Sequence, residues 1–121
     1  MNLLAPEPDP DAPERLEREA ARTAERLRTL SLVRLGVALP DGRTRAAAAV
    51  ALAGELADAA ADLAGRPRRN LPELPEGAAG DVLAVCALDL AEEVRARGPS
   101  VAAAAACRAA VEGLVALRRQ L

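Results

Sequence analysis

The residues of this chain that are best suited to chemistry are carboxylates at helical spacing. Side chains three or four residues apart lie on one face of a helix, and two groups follow this spacing, within residues 55–62 and 89–93. If the helices that carry them face each other, the carboxylate oxygens could hold Mg²⁺, which could in turn bind a substrate phosphate. The candidate metal ligands are Glu55, Asp58 and Asp62, called here the first acidic ridge, and Asp89, Glu92 and Glu93, the second acidic ridge.

The Glu55-x-x-Asp58 spacing resembles in outline the all-α nucleotide pyrophosphatases of the MazG type. The resemblance covers four residues, and the paired glutamates that those enzymes carry upstream of this element are missing here. It implies a Mg²⁺-dependent all-α phosphohydrolase, which is kept as the alternative function. The competing interpretation is an ordinary solvated helix face, where the same spacing arises often.

A candidate anion-binding cluster follows the first ridge. Arg66, Arg68 and Arg69 bring three guanidinium groups together, and a guanidinium binds phosphate or carboxylate with two parallel hydrogen bonds. The other interpretation is that these arginines are attracted to the negative end of the preceding helix and to Asp58 and Asp62.

A short repeat comes next in the chain. Leu-Pro-Glu occurs twice within residues 71–76, and its period of three matches one turn of polyproline II helix. Leu71 and Leu74 would then share a face and form a candidate partner-docking motif. Alternatively, the segment lies over its own helices and completes a core that alanine cannot fill.

The chain lacks most groups that enzymes use. It has no His, Lys, Tyr, Trp, Phe or Ile, and all 16 basic residues are arginine, although a coding sequence rich in G and C would shift the composition in the same direction. Ser31 and Ser100 have no histidine or lysine to activate them, and neither a phosphate loop nor a dinucleotide motif is present. Cys86 and Cys107 are expected to be reduced, buried thiols. We therefore expect no cofactor and no catalytic residue.

Net charge and hydropathy limit the classes of partner that we expect this chain to bind. The net charge is −2, and acids alternate with arginines along the chain, whereas nucleic-acid and anionic-membrane binders usually cluster positive charge. No apolar stretch approaches the roughly 18 residues that a membrane span needs, and residues 1–7 do not resemble a signal peptide. The expected localisation is cytoplasmic, with no membrane partner, and nucleic acid is not expected to be the ligand.

The composition predicts an all-α fold. Alanine and leucine, both strong helix formers, supply most of the apolar residues, and 121 residues suit one domain. Asp41 and Ser100 are candidate N-caps, and Gly65 is a candidate C-terminal glycine. The prediction is a four-helix bundle with helices at about 13–35, 42–64, 80–97 and 100–120, a long connection at 65–80, a disordered acidic tail at 1–12, and a single domain at 13–121.

The same composition predicts an incomplete core. Alanine contributes one methyl group, whereas burial of a leucine side chain stabilises by roughly 1.5–3 kcal/mol. We therefore expect a wide apolar face on the third or fourth helix that one copy cannot cover. The predicted function is a small non-enzymatic protein–protein interaction or accessory module that binds a protein partner or itself, with a dimer as the expected oligomer.

Overall fold

The computed structural model of the protein describes residues 9–121. All the secondary-structure elements of these residues are helices, apart from one isolated β-bridge between Ala38 and Thr44. The predicted all-α class is therefore confirmed. Residues 1–8 of the predicted tail lie outside the described residues, and the first helix already begins at Ala12. In chain order the elements are α1 (Ala12–Thr29), α2 (Leu32–Leu35), α3 (Arg45–Ala64), a 3₁₀ helix (Glu76–Ala78), α4 (Ala79–Arg97) and α5 (Val101–Gln120).

The predicted first helix of residues 13–35 is two helices. The backbone leaves helical geometry at Leu30, and Ser31 caps α2 by accepting a hydrogen bond from the Arg34 N–H at 3.2 Å. Leu30 and Leu35 are both buried. In a straight helix, side chains five residues apart point about 140° away from each other, so the break allows both leucines to reach the core.

The helix α3 begins three residues later than predicted, because Thr44 and not Asp41 is its N-cap. The Thr44 hydroxyl accepts a hydrogen bond from the Ala47 N–H at 3.0 Å. Asp41 instead accepts from the Arg43 N–H at 3.0 Å, within a turn where Gly42 has a φ of 90°. Because the Asp41 carboxylate accepts its backbone hydrogen bond within this turn, it does not cap α3, and the predicted N-cap at Asp41 is wrong.

Two other predicted boundaries are confirmed. Gly65 follows the last residue of α3 in the left-handed conformation, with a φ of 68°, as a C-terminal glycine does. Ser100 caps α5, and its hydroxyl accepts a hydrogen bond from the Ala103 N–H at 3.0 Å.

The long helices pack with α4 in contact with both α1 and α3, while α5 contacts mainly α1. Leucine side chains from α1, α4 and α5 occupy the centre, and alanines fill the space between them. None of the helices within residues 9–121 combines the length and the apolar content that crossing a membrane requires. The fully buried leucines are Leu16, Leu27, Leu83, Leu90 and Leu114.

Two glycines permit close approach of neighbouring helices. A Cβ atom on Gly80 would lie 2.9 Å from the backbone oxygen of Ala24, so α4 begins in direct contact with the backbone of α1. A Cβ atom on Gly113 would lie 2.9 Å from Leu52 Cδ1, which brings α5 close to α3.

A polar link joins α1 and α5. Thr23 is completely buried, and its hydroxyl donates to the Glu19 backbone oxygen at 2.9 Å and accepts from the Arg118 guanidinium at 3.2 Å. Arg118 also reaches the Glu19 carboxylate at 2.7 Å, and Arg26 donates to the backbone oxygen of Leu121 at 2.9 Å. The buried hydroxyl is thus fully paired, as buried polar groups generally are.

Candidate interaction site

The candidate anion-binding arginines and the first acidic ridge contact each other. Arg68 donates from Nε to Asp62 Oδ1 at 3.0 Å and from Nη2 to Asp62 Oδ2 at 2.7 Å, and its Nη1 lies 3.8 Å from Asp58 Oδ2. These hydrogen bonds lower the pKa of Asp62 and raise the pKa of Arg68. The Arg68 guanidinium therefore already binds a carboxylate of its own chain.

Arg66 reaches the second acidic ridge. Its Nη2 lies 3.4 Å from Glu93 Oε1, while Arg97 Nε lies 3.8 Å from Glu93 Oε2. Arg69 is exposed and has no ion-pair partner within residues 9–121. The pairs made by Arg66 and Arg68, called here the arginine clasp, tie the start of the connection to α3 and α4. Because both arginines are exposed, the clasp contributes little to stability.

The two acidic ridges are not gathered into one ligand cluster within residues 9–121. Among the described residues, no group of three or more Asp, Glu or Cys side chains lies close enough to hold a metal ion. Glu55 is exposed on α3 and lines a cavity of about 230 Å³ beside Gln120 of α5, whereas Asp89 and Glu92 are exposed on α4. The Mg²⁺-dependent phosphohydrolase stays a prediction, and no observed contact favours it.

The two cysteines are buried and unpaired. Burial raises the pKa of the Cys86 and Cys107 thiols, and a thiolate is the form that acts as a nucleophile. These surroundings suit structural side chains rather than reactive ones.

The two leucines of the repeat have different surroundings. Leu71 is half-buried and packs against the core, whereas Leu74 is 46% exposed. More of the Leu74 side chain than of the Leu71 side chain is thus open to solvent, and a docking face shared by the two leucines stays a prediction. The repeat lies over the core at its first leucine and presents its second leucine to solvent.

Most of the large apolar side chains that are exposed within residues 9–121 lie in or beside α2 and in the segment that leads into the 3₁₀ helix. Seven large apolar side chains are exposed within the described residues, and four of them belong to residues 32–37 and 74–77. These two segments are in contact, because α2 packs on the 3₁₀ helix and Leu32 Cδ2 lies 3.6 Å from where a Cβ on Gly77 would be. The four side chains, called here the apolar cap, are Leu32 (67% exposed), Val33 (79%), Val37 (46%) and Leu74 (46%).

Three of the four cap residues are absent from the site predicted from the sequence. Leu32, Val33 and Val37 fall at the end of a helix predicted as continuous, and a helix end gives no reason to expect an exposed cluster. The available signal was Ser31, a good N-cap residue, followed at once by an apolar stretch and Gly36. The face expected on the third or fourth helix is limited to Val85 and Leu88 on α4 and Val101 on α5.

Charged residues of both signs occur on the same segments as the cap residues. Arg34, Glu73 and Glu76 are exposed and form no ion pair within residues 9–121. Glu76 Oε2 lies 3.8 Å from where a Cβ on Gly36 would be, so the carboxylate is beside α2. Within the part of the chain that the structure describes, the cap segments thus combine exposed apolar side chains with one cation and two anions that form no ion pair.

No protein-family model, no curated protein and no solved structure matches this chain.

Proposed function

We propose that this chain is a non-enzymatic, cytoplasmic protein–protein interaction module on a four-helix-bundle scaffold, and that the apolar cap is its docking surface. One observation carries the proposal: four of the seven exposed large apolar side chains gather on two short segments that pack together. Exposed apolar side chains are unremarkable when scattered, but a cluster favours contact with another protein. The free, buried thiols fit a reducing compartment.

The cap is separate from the core. Leu35 and Leu39 are buried below it and hold the segment to the long helices. Leu32, Val33 and Val37 are 67%, 79% and 46% exposed, so their side chains contribute less to folding than the two buried leucines. Substitution of Val33, the most exposed of these side chains, therefore tests docking with the smallest loss of contacts within the chain.

The expected strength of docking is modest. Complete burial of one Leu or Val side chain stabilises by roughly 1.5–3 kcal/mol, and the cap residues are already partly covered. Association also costs several kcal/mol of lost translational and rotational freedom. Four side chains of this size support a transient contact unless the charges at the edge of the cap also pair, and self-association, expected from the sequence, is one form of such a contact.

Site-specific crosslinking tests the proposal. A photo-crosslinking amino acid is placed at Val33 of the cap or, as a matched control, at Val101 of α5, which is the same residue type and is 76% exposed. In cells that express the full chain, we expect a crosslinked protein product from position 33 and little from position 101. Equal yields at the two positions, or no product at position 33, would contradict the proposal.

A further inference from the structure

We infer that the partner covering the apolar cap is a second copy of this chain, related by a two-fold axis that places Arg34 of each copy against Glu73 and Glu76 of the other. The inference rests on the proposed function, since it names the occupant of the same surface.

Two-fold symmetry sets a strict requirement on such a surface. Both copies use the same patch, so the patch must be complementary to itself. A patch with charge of one sign would repel its own copy and favour a partner of opposite sign. The cap segments instead carry one exposed cation, on α2, and two exposed anions, within residues 73–76, together with the exposed apolar side chains. This combination is compatible with pairing between identical surfaces.

The charges at the cap are also available for pairing. Elsewhere in the chain Arg66 and Arg68 bind nearby carboxylates. At the cap, Arg34 has no ion-pair partner within the described residues, although the Glu76 carboxylate lies beside Gly36, two positions along the chain. A second copy would supply such partners, because each Arg34 would meet Glu73 and Glu76 side chains that form no ion pair within residues 9–121 of their own chain.

Charge reversal provides the decisive experiment. Sedimentation equilibrium of the full chain measures the dimer dissociation constant of the wild type, of Arg34→Glu and of the double variant Glu73→Arg with Glu76→Arg. Each variant places like charges opposite each other in its own dimer, so we expect the dissociation constant to rise about tenfold or more. An equimolar mixture of the two variants, and a chain that carries all three substitutions, should both regain tight association, because opposite charges face each other again.

Two matched apolar variants test where the copies meet. Val33→Asp should abolish dimer formation, and Val101→Asp should leave the dissociation constant unchanged. Circular dichroism and thermal unfolding establish that every variant is folded. Added salt should weaken the wild-type dimer, because exposed charge pairs are screened.

The outcomes separate this inference from the proposed function. A wild-type chain that stays monomeric up to about millimolar concentration overturns the inference. So does a dimer whose dissociation constant is the same in both charge variants, or a mixture that regains no association. In each of these cases a crosslinked product at position 33 with the mass of a different protein would still support docking through the cap.

Discussion

The connection between α3 and α4 has two halves that are held in different ways. In the first half, Arg66 and Arg68 pair with carboxylates of the two helices that the connection joins. In the second half, Leu74 is exposed and Glu73 and Glu76 have no ion-pair partner within residues 9–121. Leu71, half-buried on the core, separates them. One loop thus combines a segment that is paired with its own helices and a segment that is exposed to solvent.

The largest expected effect concerns the end of the second half, where the connection enters α4. Gly80→Ala would place a Cβ 2.9 Å from the Ala24 backbone oxygen, and relief of this contact requires a backbone shift. We expect the free energy of unfolding, measured by urea denaturation, to fall by about 1–3 kcal/mol.

The matched control is Gly54→Ala in the middle of α3, where nothing lies within 4 Å of the added Cβ. Alanine is a better helix former than glycine, so this variant should gain about 0.5–1 kcal/mol. Equal stability changes in the two variants would show that close packing on α1 does not anchor the end of the connection.

An intermediate effect distinguishes the two leucines of the repeat. Leu71→Ala removes a half-buried side chain and should lower the free energy of unfolding by about 1 kcal/mol. Leu74→Ala should change it by less than about 0.5 kcal/mol, while it weakens the association measured by sedimentation. Equal losses of stability would mean that both halves of the connection belong to the core.

The smallest effect concerns the arginine clasp. Arg68→Gln removes the main cause of the lowered Asp62 pKa, so the carboxyl titration followed by NMR should move up toward the ordinary value of 3.8. Because folding lowers this pKa, the pairing stabilises the protein fully above pH 3.8 and the contribution is lost as the pH falls through the lowered value. Arg69→Gln is the control and should leave the Asp62 titration unchanged. A shift of equal size in both variants would assign the effect to the general charge of the loop.

Much of the fold could be predicted from the sequence, because helix propensity and glycine or serine boundaries are local properties. Gly65 and Ser100 mark real helix ends for this reason. The break at Leu30 could not be predicted from spacing, since its cause is the burial of both Leu30 and Leu35 against distant residues. The N-cap of α3 could have been Asp41 or Thr44. It is Thr44, because the Asp41 carboxylate accepts its hydrogen bond within the preceding turn.

The candidate site was predicted less completely. The spacing of Glu55, Asp58 and Asp62 correctly places them along one helix, but it contains no information on which neighbouring loop or helix they meet. Asp62 pairs with Arg68, six residues away, because the chain reverses after Gly65. The sequence allowed two interpretations of the arginines, a separate anion site or attraction to Asp58 and Asp62, and the hydrogen bonds from Arg68 to Asp62 agree with the second.

The polar link between α1 and α5 has a consequence for how an alanine-rich protein sets its alignment. Alanine surfaces are nearly smooth, so sliding α5 along α1 by one helical turn, about 5.4 Å, would replace many methyl contacts with similar ones. The same movement would pull Arg118 away from the Glu19 carboxylate and from the Thr23 hydroxyl. The Arg118 guanidinium, together with Arg26 on the Leu121 backbone oxygen, therefore helps the buried leucines to fix the axial position of the last helix.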